Sequence, residues 1–257
     1  MDKPVLLFEI NNRVGLITLN HPERRNALSR QMLESLRACF QQLARDSAAK
    51  VVIIKSTGTV FSSGHDLREL DHATPEQAES LFSLCSEVME LIRQLPQPVI
   101  AEIQGLATAA GCQLAASCDM IVASEQASFA TPGVKIGLFC TTPAVPLCRA
   151  IPTKKALEML FTGVPISAQE AEHLGLVNRV VPLEKLSETT LELAAQIATA
   201  SAATLALGKR AFYRQLNMDR PEAYQLASQV MVENSQMPDA KEGIDAFLKK
   251  RPPTWQS

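Results

Sequence analysis

An α/β fold with a parallel-rich sheet is predicted by three observations. Short apolar runs alternate with amphipathic segments over the first half, the second half is almost purely helical, and two Gly-centred turns at 61–66 and 109–113 are separated by a strand-like run. Leu6-Leu7-Phe8-Glu9-Ile10 and Val14 to Leu19 flank Asn11-Asn12-Arg13 and predict a hairpin. Ser29 is a helix N-cap, and Met32, Leu33, Leu36, Phe40 and Leu43 then share one helical face. Val51 to Ile54 is an uninterrupted apolar run, the mark of a strand covered on both sides. A second helix follows Pro75, places Leu81, Leu84, Val88, Leu91 and Ile92 near helical spacing, and stops before Pro96 and Pro98. A strand over 98–103, a short helix opening at Gly111 and a strand at Met120-Ile121-Val122 complete a rhythm that calls for parallel strands with crossovers.

Beyond about residue 142 the pattern changes. Segments 153–162, 168–173, 183–199, 202–216, 221–234 and 239–249 read as helices, only 175–181 reads as extended, and Pro182 and Pro221 suit first helical turns. The expected organisation is a core over 1–194 and a helical region over 195–257, with no low-complexity linker and no internal sequence repeat.

Composition narrows the function. With 257 residues and 46% apolar content the chain can bury a substantial core, and a net charge of -2 leaves no electrostatic footprint for nucleic acid or an anionic membrane. No apolar run approaches the roughly 20 residues of a membrane span. The six cysteines form no C-x-x-C pair and follow no signal peptide, so they are expected to be reduced thiols packed as small hydrophobes, with no disulfide framework and no metal. Met1-Asp2-Lys3-Pro4 leads at once into a strand pattern; no targeting presequence is visible, which does not argue for the cytosol.

The chemistry is carried by the two turns, Phe61-Ser62-Ser63-Gly64-His65-Asp66 and Ala109-Ala110-Gly111-Cys112-Gln113. Together with His21-Pro22-Glu23-Arg24-Arg25-Asn26-Ala27-Leu28, the stretch from Gly105 to Asp119, Phe129-Ala130-Thr131-Pro132 and Phe161-Thr162-Gly163, in this order, they give a sequence that resembles the crotonase, or enoyl-CoA hydratase/isomerase, superfamily from about residue 5 to 252. The resemblance implies a crotonase-like fold of repeated ββα turns with a C-terminal helical trimerisation region. It also implies a homotrimer or dimer of trimers, an acyl-CoA thioester as ligand with coenzyme A as part of the substrate and no separate cofactor, and a place in fatty-acid metabolism in the mitochondrial matrix.

Residue by residue, it assigns the backbone amides of Ser63 and Ala110 to an oxyanion hole, the second just ahead of a helix N-terminus whose partial charge adds to the effect. Gly64 and Gly111 would let a ligand approach the backbone closely. Arg24 and Arg25 would line the nucleotide, Asp66 and Leu67 would border the adenine, and Phe247 and Lys250 would come from a C-terminal helix. The departures are as informative. Gln113 and Gly133 stand where hydratases keep two glutamates, and Thr141 stands where other relatives keep a third acid. Glutamine accepts no proton at neutral pH and glycine has no side chain. His65 is a candidate base. Cys140, where decarboxylating relatives place a tyrosine, is a candidate thiol, more readily read as inert. Glu102 and Asp119 read as structural carboxylates. The expectation is an acyl-CoA-binding protein that is not an efficient enoyl-CoA hydratase. The alternatives are a lyase needing no protein base, such as a malonyl-type-CoA decarboxylase, and a slow hydratase.

Overall fold

The computed structural model describes residues 3–256. The chain opens with β1 (Leu6–Asn11) and β2 (Val14–Leu19), an antiparallel hairpin whose turn residues Asn12 and Arg13 both have positive φ, 48° and 65°. Two successive left-handed residues match the twist of the flanking strands. Helix α1 (Arg30–Leu43) starts where Ser29 Oγ accepts the Met32 amide, and it buries the apolar stripe predicted for it. Strands β3 (Val51–Ser56) and β4 (Val60–Ser62) precede α2 (Pro75–Gln94), which begins with a reciprocal capping box between Thr74 and Gln77. The same order recurs in β5 (Val99–Ile103), β6 (Leu106–Thr108) and α3 (Ala110–Ser117), and again in β7 (Met120–Ser124), β8 (Ser128–Ala130) and α4 (Thr141–Ala150).

These are three ββα turns. The first strand of each joins a six-stranded sheet ordered β1-β2-β3-β5-β7-β10, and the second joins a four-stranded sheet ordered β4-β6-β8-β9, with parallel pairing between turns. The remaining elements are α5 (Thr153–Thr162), β9 (Ile166–Ser167), α6 (Ala168–His173), β10 (Arg179–Val181), α7 (Leu186–Ala198), α8 (Ala202–Gln215), α9 (Arg220–Gln236) and α10 (Pro238–Leu248). Among the described residues no single helix is long and apolar enough to cross a membrane.

The larger sheet is covered on both faces, which explains its continuous apolar strands. Val52, Ile54, Ala101 and Ile121 face α1, α2 and α3 in the main core, while Val51, Ile53, Ile100 and Val122 face Leu186, Leu193 and Ala194 of α7. Residue 195 therefore falls inside a helix that still packs on the sheet.

Three further points differ from the sequence reading. Helix α4 lies before the first helix expected in the second half; it carries Pro143 in its first turn, where a missing N–H is no loss, and Pro146 in its interior. The strands of the second sheet have two or three residues each, too few to show an alternation, so the structural repeat left no sequence repeat. Finally, α3 opens at Ala110 rather than Gly111, and Cys148 is exposed while the other five thiols are buried.

A polar cluster pins the helical region to the core. Lys209 Nζ on α8 donates to the carbonyls of Ile92 and Gln97, both at 2.9 Å, and to Asp119 Oδ2 at 2.6 Å. Asp119 also accepts from the Tyr213 hydroxyl at 2.6 Å and from the Val99 amide at 2.7 Å, and the Arg93 guanidinium lies 4.4 Å over the Tyr213 ring. Burial pushes the Lys209 pKa down and Asp119 holds it up. Lys209→Met would leave Asp119 with a buried uncompensated charge. We expect a loss of about 3 kcal/mol in urea denaturation, the usual scale for breaking one side of a buried pair, with a smaller loss in the Lys209→Met/Asp119→Leu double variant.

Candidate active site

The two Gly-centred turns meet because β4 and β6, the strands that feed them, are parallel neighbours. The contact is very close. A Cβ on Gly64, whose φ is 87°, would fall 2.9 Å from Ala109 Cβ and 3.0 Å from the Ala110 nitrogen, and a Cβ on Gly111 would overlap the Ser62 carbonyl oxygen. Only glycine fits either place. Ala109 adopts φ 52°, ψ -122°, the conformation of the first central residue of a II′ turn and normally glycine's. It holds the first amide of α3, that of Ala110, clear of the strand it follows.

Among the described residues the backbone amides of His65 and Ala110 have no acceptor. The Ser63 amide does: it donates to the Arg25 carbonyl at 3.0 Å, which corrects its assignment as an oxyanion donor. In the first turn the His65 amide, two residues on and across the glycine from Ser63, is without an acceptor among the described residues and belongs to a residue that lines the cleft. Asn26, quoted in the sequence motif without a role, makes this arrangement possible. Fully buried at φ 50°, it donates through Nδ2 to the carbonyls of Thr57 and Val60 and accepts the His21 amide, fixing the loop that presents Arg25 to Ser63. A lone Asn in a polar loop carries no such signal in sequence.

A cleft of about 820 Å³ opens in front of the two turns. Arg24, Arg25, Ser63, His65, Asp66, Leu67, Ala110, Gly133, Cys140 and Thr141 all line it, joined by Phe82, Thr108 and Lys135, which sequence reasoning missed. Gly64, Gly111 and Gln113 lie outside the lining. Phe247, 82% exposed on α10, and Lys250 lie outside it as well, so one chain alone does not bring them to its own cleft.

His65 Nδ1 is 3.3 Å from the Leu28 carbonyl, which can only accept; Nδ1 therefore carries the proton and Nε2 keeps its lone pair, with no partner among the described residues. Burial lowers the imidazole pKa, opposed by the Leu28 contact, and the ring packs edge-on to Phe82 at 5.3 Å. The ring is neutral at pH 7. Gln113 is 3% exposed and its Oε1 is unpartnered, as are Thr108 Oγ1 and Thr131 Oγ1. Buried polar atoms normally find partners, and leaving one without costs about 1–3 kcal/mol. Cys140 lines the cleft with its pKa raised by burial, and Cys112 behind it is pushed up to about 12. Glu102 accepts from Ser187 Oγ at 2.9 Å, a packing role.

Gly133 is more than a missing carboxylate. A Cβ there would overlap the Leu138 carbonyl oxygen and lie 2.8 Å from Cys140 Sγ. The segment after it is wound into a tight 3₁₀ turn, Pro132–Ile136, closed by Leu138 N–H donating to Gly133 O at 2.9 Å. The space for a side chain has been used by backbone and sulfur.

Stacked ββα turns over two parallel sheets, with a helix N-terminus presented to a large cleft, define the crotonase class of α/β proteins. The Enoyl-CoA hydratase/isomerase family profile matches residues 9–257, and the chain belongs to that family. Its backbone is similar to the crystal structure of an enoyl-CoA hydratase from Mycobacterium smegmatis, with a TM-score of 0.97 and 44% identity over 99% of this chain and 100% of the other. It is likewise similar to human enoyl Coenzyme A hydratase domain-containing protein 3, with a TM-score of 0.94 and 52% identity over 98% of this chain and 100% of the other. The Rattus norvegicus protein named "Enoyl-CoA hydratase domain-containing protein 3, mitochondrial" is 56% identical over 93% of this chain and 80% of its own length.

Ala109→Gly relieves a conformation that L residues rarely adopt. Strain of this kind is worth about 1–3 kcal/mol, against a smaller entropic cost of the added glycine. We expect net stabilisation on the order of 1 kcal/mol, read as a higher Tm in thermal denaturation.

Proposed function

We propose that this crotonase-family protein binds an acyl-CoA thioester with its carbonyl directed at the amides of His65 and Ala110, and that it does not hydrate enoyl thioesters efficiently. The observation that carries the reading is the pairing of two uncommitted backbone donors with a cleft that lacks a usable acid. A thioester oxygen gaining negative charge would be stabilised by both donors and by the N-terminus of α3. Among the described residues the carboxylates lining the cleft are Glu23 and Asp66, and Asp66 is 3.5 Å from Arg24. Arg24, Arg25 and Lys135 supply positive charge for the phosphates of coenzyme A. No cofactor beyond the coenzyme A of the ligand enters this reading, and the proposed compartment is the mitochondrial matrix, in fatty-acid metabolism, on the strength of the relatives' names.

The chain is proposed to work as a homotrimer or dimer of trimers. Phe212, Tyr224, Met231, Val232, Phe247 and Leu248 leave a broad apolar surface on α8, α9 and α10, and Phe247 with Lys250 would then serve a neighbouring copy's cleft. Light scattering should give a mass three or six times that of the chain; a monomer would remove the role of these two residues.

A second reading has its own support. Donors without a base suit a reaction that makes an enolate by losing carbon dioxide, and release of CO₂ from methylmalonyl-CoA would establish it. For the first reading, calorimetry should show butyryl-CoA binding more tightly than free coenzyme A, with crotonyl-CoA hydration about 10³-fold or more below that of a two-glutamate hydratase, since each acid-base group contributes roughly 10²–10⁴. Gln113→Glu/Gly133→Glu should not restore hydration, because residue 133 has no room for a side chain. Fast hydration by that double variant would show that only the acids had been lost.

A further inference from the structure

Helix α10 is inverted relative to an ordinary surface helix. Its apolar side chains Ile244, Phe247 and Leu248 are 57%, 82% and 75% exposed, while the residues it buries are Asp239 and Ala246. The chain that follows explains the orientation. Lys250, at φ 53°, takes the left-handed place of a Schellman turn, in which its own amide donates to the Phe247 carbonyl at 3.2 Å and the Arg251 amide to the Ala246 carbonyl at 3.0 Å. The chain then doubles back along the acidic face of α10. Arg251 donates through Nη1 and Nη2 to Glu242 at 2.6 and 2.9 Å, and through Nη2 to Asp245 at 2.7 Å. The Thr254 amide donates to Glu242 Oε1 at 2.8 Å, and the Gln256 amide to Asp239 Oδ1 at 2.7 Å. The Arg251 hydrogen bonds and then the Thr254 amide hold Glu242 charged, with its pKa lowered to about 2.

Trp255 joins that segment to the core. Its indole N–H donates to the Thr199 carbonyl, between α7 and α8, at 2.6 Å, and its ring edge lies 3.2 Å from where a Cβ on Gly243 would stand. Glycine is a poor residue for a helix interior; here its bare Cα admits the indole. The adjoining Ala200 carbonyl accepts Lys50 Nζ at 3.1 Å, with Lys50 only 2% exposed. Burial and Arg13 push the Lys50 pKa down, and Asp239 of α10 holds it up.

We propose that residues 251–256 are a strap that docks α10 with its apolar face outward, which makes Arg251, Trp255 and Gly243 positioning residues for Phe247 and Lys250. The positioning role rests on the reading above, in which those two residues serve acyl-CoA in a neighbouring copy's cleft. The strap fixes both of them: Lys250 is itself the left-handed residue of the turn, and the Phe247 carbonyl accepts its amide. Exposed ion pairs are individually weak. A forked guanidinium that spans two carboxylates, backed by the Thr254, Trp255 and Gln256 donors, has the geometry that single pairs lack.

Trp255 is the chain's only tryptophan, so its fluorescence reports the strap directly. In the full chain carrying Arg251→Ala, and independently in Gly243→Leu, we expect red-shifted, more readily quenched emission and faster hydrogen exchange over 238–248. A lower mass in light scattering should accompany them, with butyryl-CoA binding weakened about tenfold, the weight of one hydrogen bond to a charged group. Lys249→Ala, which removes only an exposed pair with Asp245, should change none of these. Gly243→Leu is the sharper variant, because it raises the helix propensity of α10 and would slow exchange if only helix stability mattered. Unchanged emission and exchange in both strap variants overturn the strap. A released strap with unchanged mass and unchanged butyryl-CoA affinity overturns the positioning role. A wild-type chain that is monomeric or binds no butyryl-CoA overturns that role together with the reading beneath it, while emission and exchange still decide the strap.

Discussion

Everything at the site depends on how closely two backbone turns are pressed together. Gly64 lies against Ala109 and the nitrogen of Ala110, and Gly111 lies against the carbonyl of Ser62, at separations that leave no room for a Cβ. That contact is produced by the second, smaller sheet. Strands β4 and β6 run parallel as neighbours, so the chain leaves both at the same level, one into the 63–66 turn and the other into α3. The larger sheet then fixes the distance between successive turns through the pairing of β3, β5 and β7. A donor pair built this way needs no side chain of its own. Its placement is set by two ladders and two glycines.

The arrangement stores strain, and the rest of the molecule holds it. Ala109 sits in a glycine-like conformation, and the side chains of Thr108, Gln113 and Thr131 are buried with unpartnered oxygens. Costs of this kind persist only where the surrounding structure over-determines them. Here that structure is the sheet buried on both faces and the Asp119–Lys209 cluster, which ties α8 to the carbonyl ends of α2 and of the loop before β5. Asp119 follows α3 by two residues, so the anchor of the helical region and the start of the donor helix belong to one short segment.

Long elements were legible in the sequence, and short ones were not. The stripe of α1, the Pro75 start of α2 and the apolar runs of β3 and β5 have enough residues for periodicity to speak. Strands β4, β6, β8 and β9 do not, and they are the ones that carry the site. Motif order therefore located the two turns where periodicity failed. It located them at a resolution of about two residues, which placed the first donor at Ser63 when its amide belongs to Arg25. Which amide is free is decided by the loop that carries Arg25, far from Ser63 in the sequence and held by Asn26 across the β3–β4 turn. The exposure of Phe247 was equally invisible, since an aromatic residue on an amphipathic helix has the same pattern whether it faces its own core or another chain.

The surroundings of Gln113 and Gly133 are not equivalent. Gln113 is a buried, uncharged polar group that lies outside the cleft lining. Gly133 is different, because the chain around it has closed: the 3₁₀ turn, the Leu138 carbonyl and the Cys140 sulfur share the volume a side chain would need. A side chain at 133 would require moving a backbone segment that also forms the cleft wall. A surface shaped in that way is committed to contacts made by sulfur and backbone rather than by carboxylate.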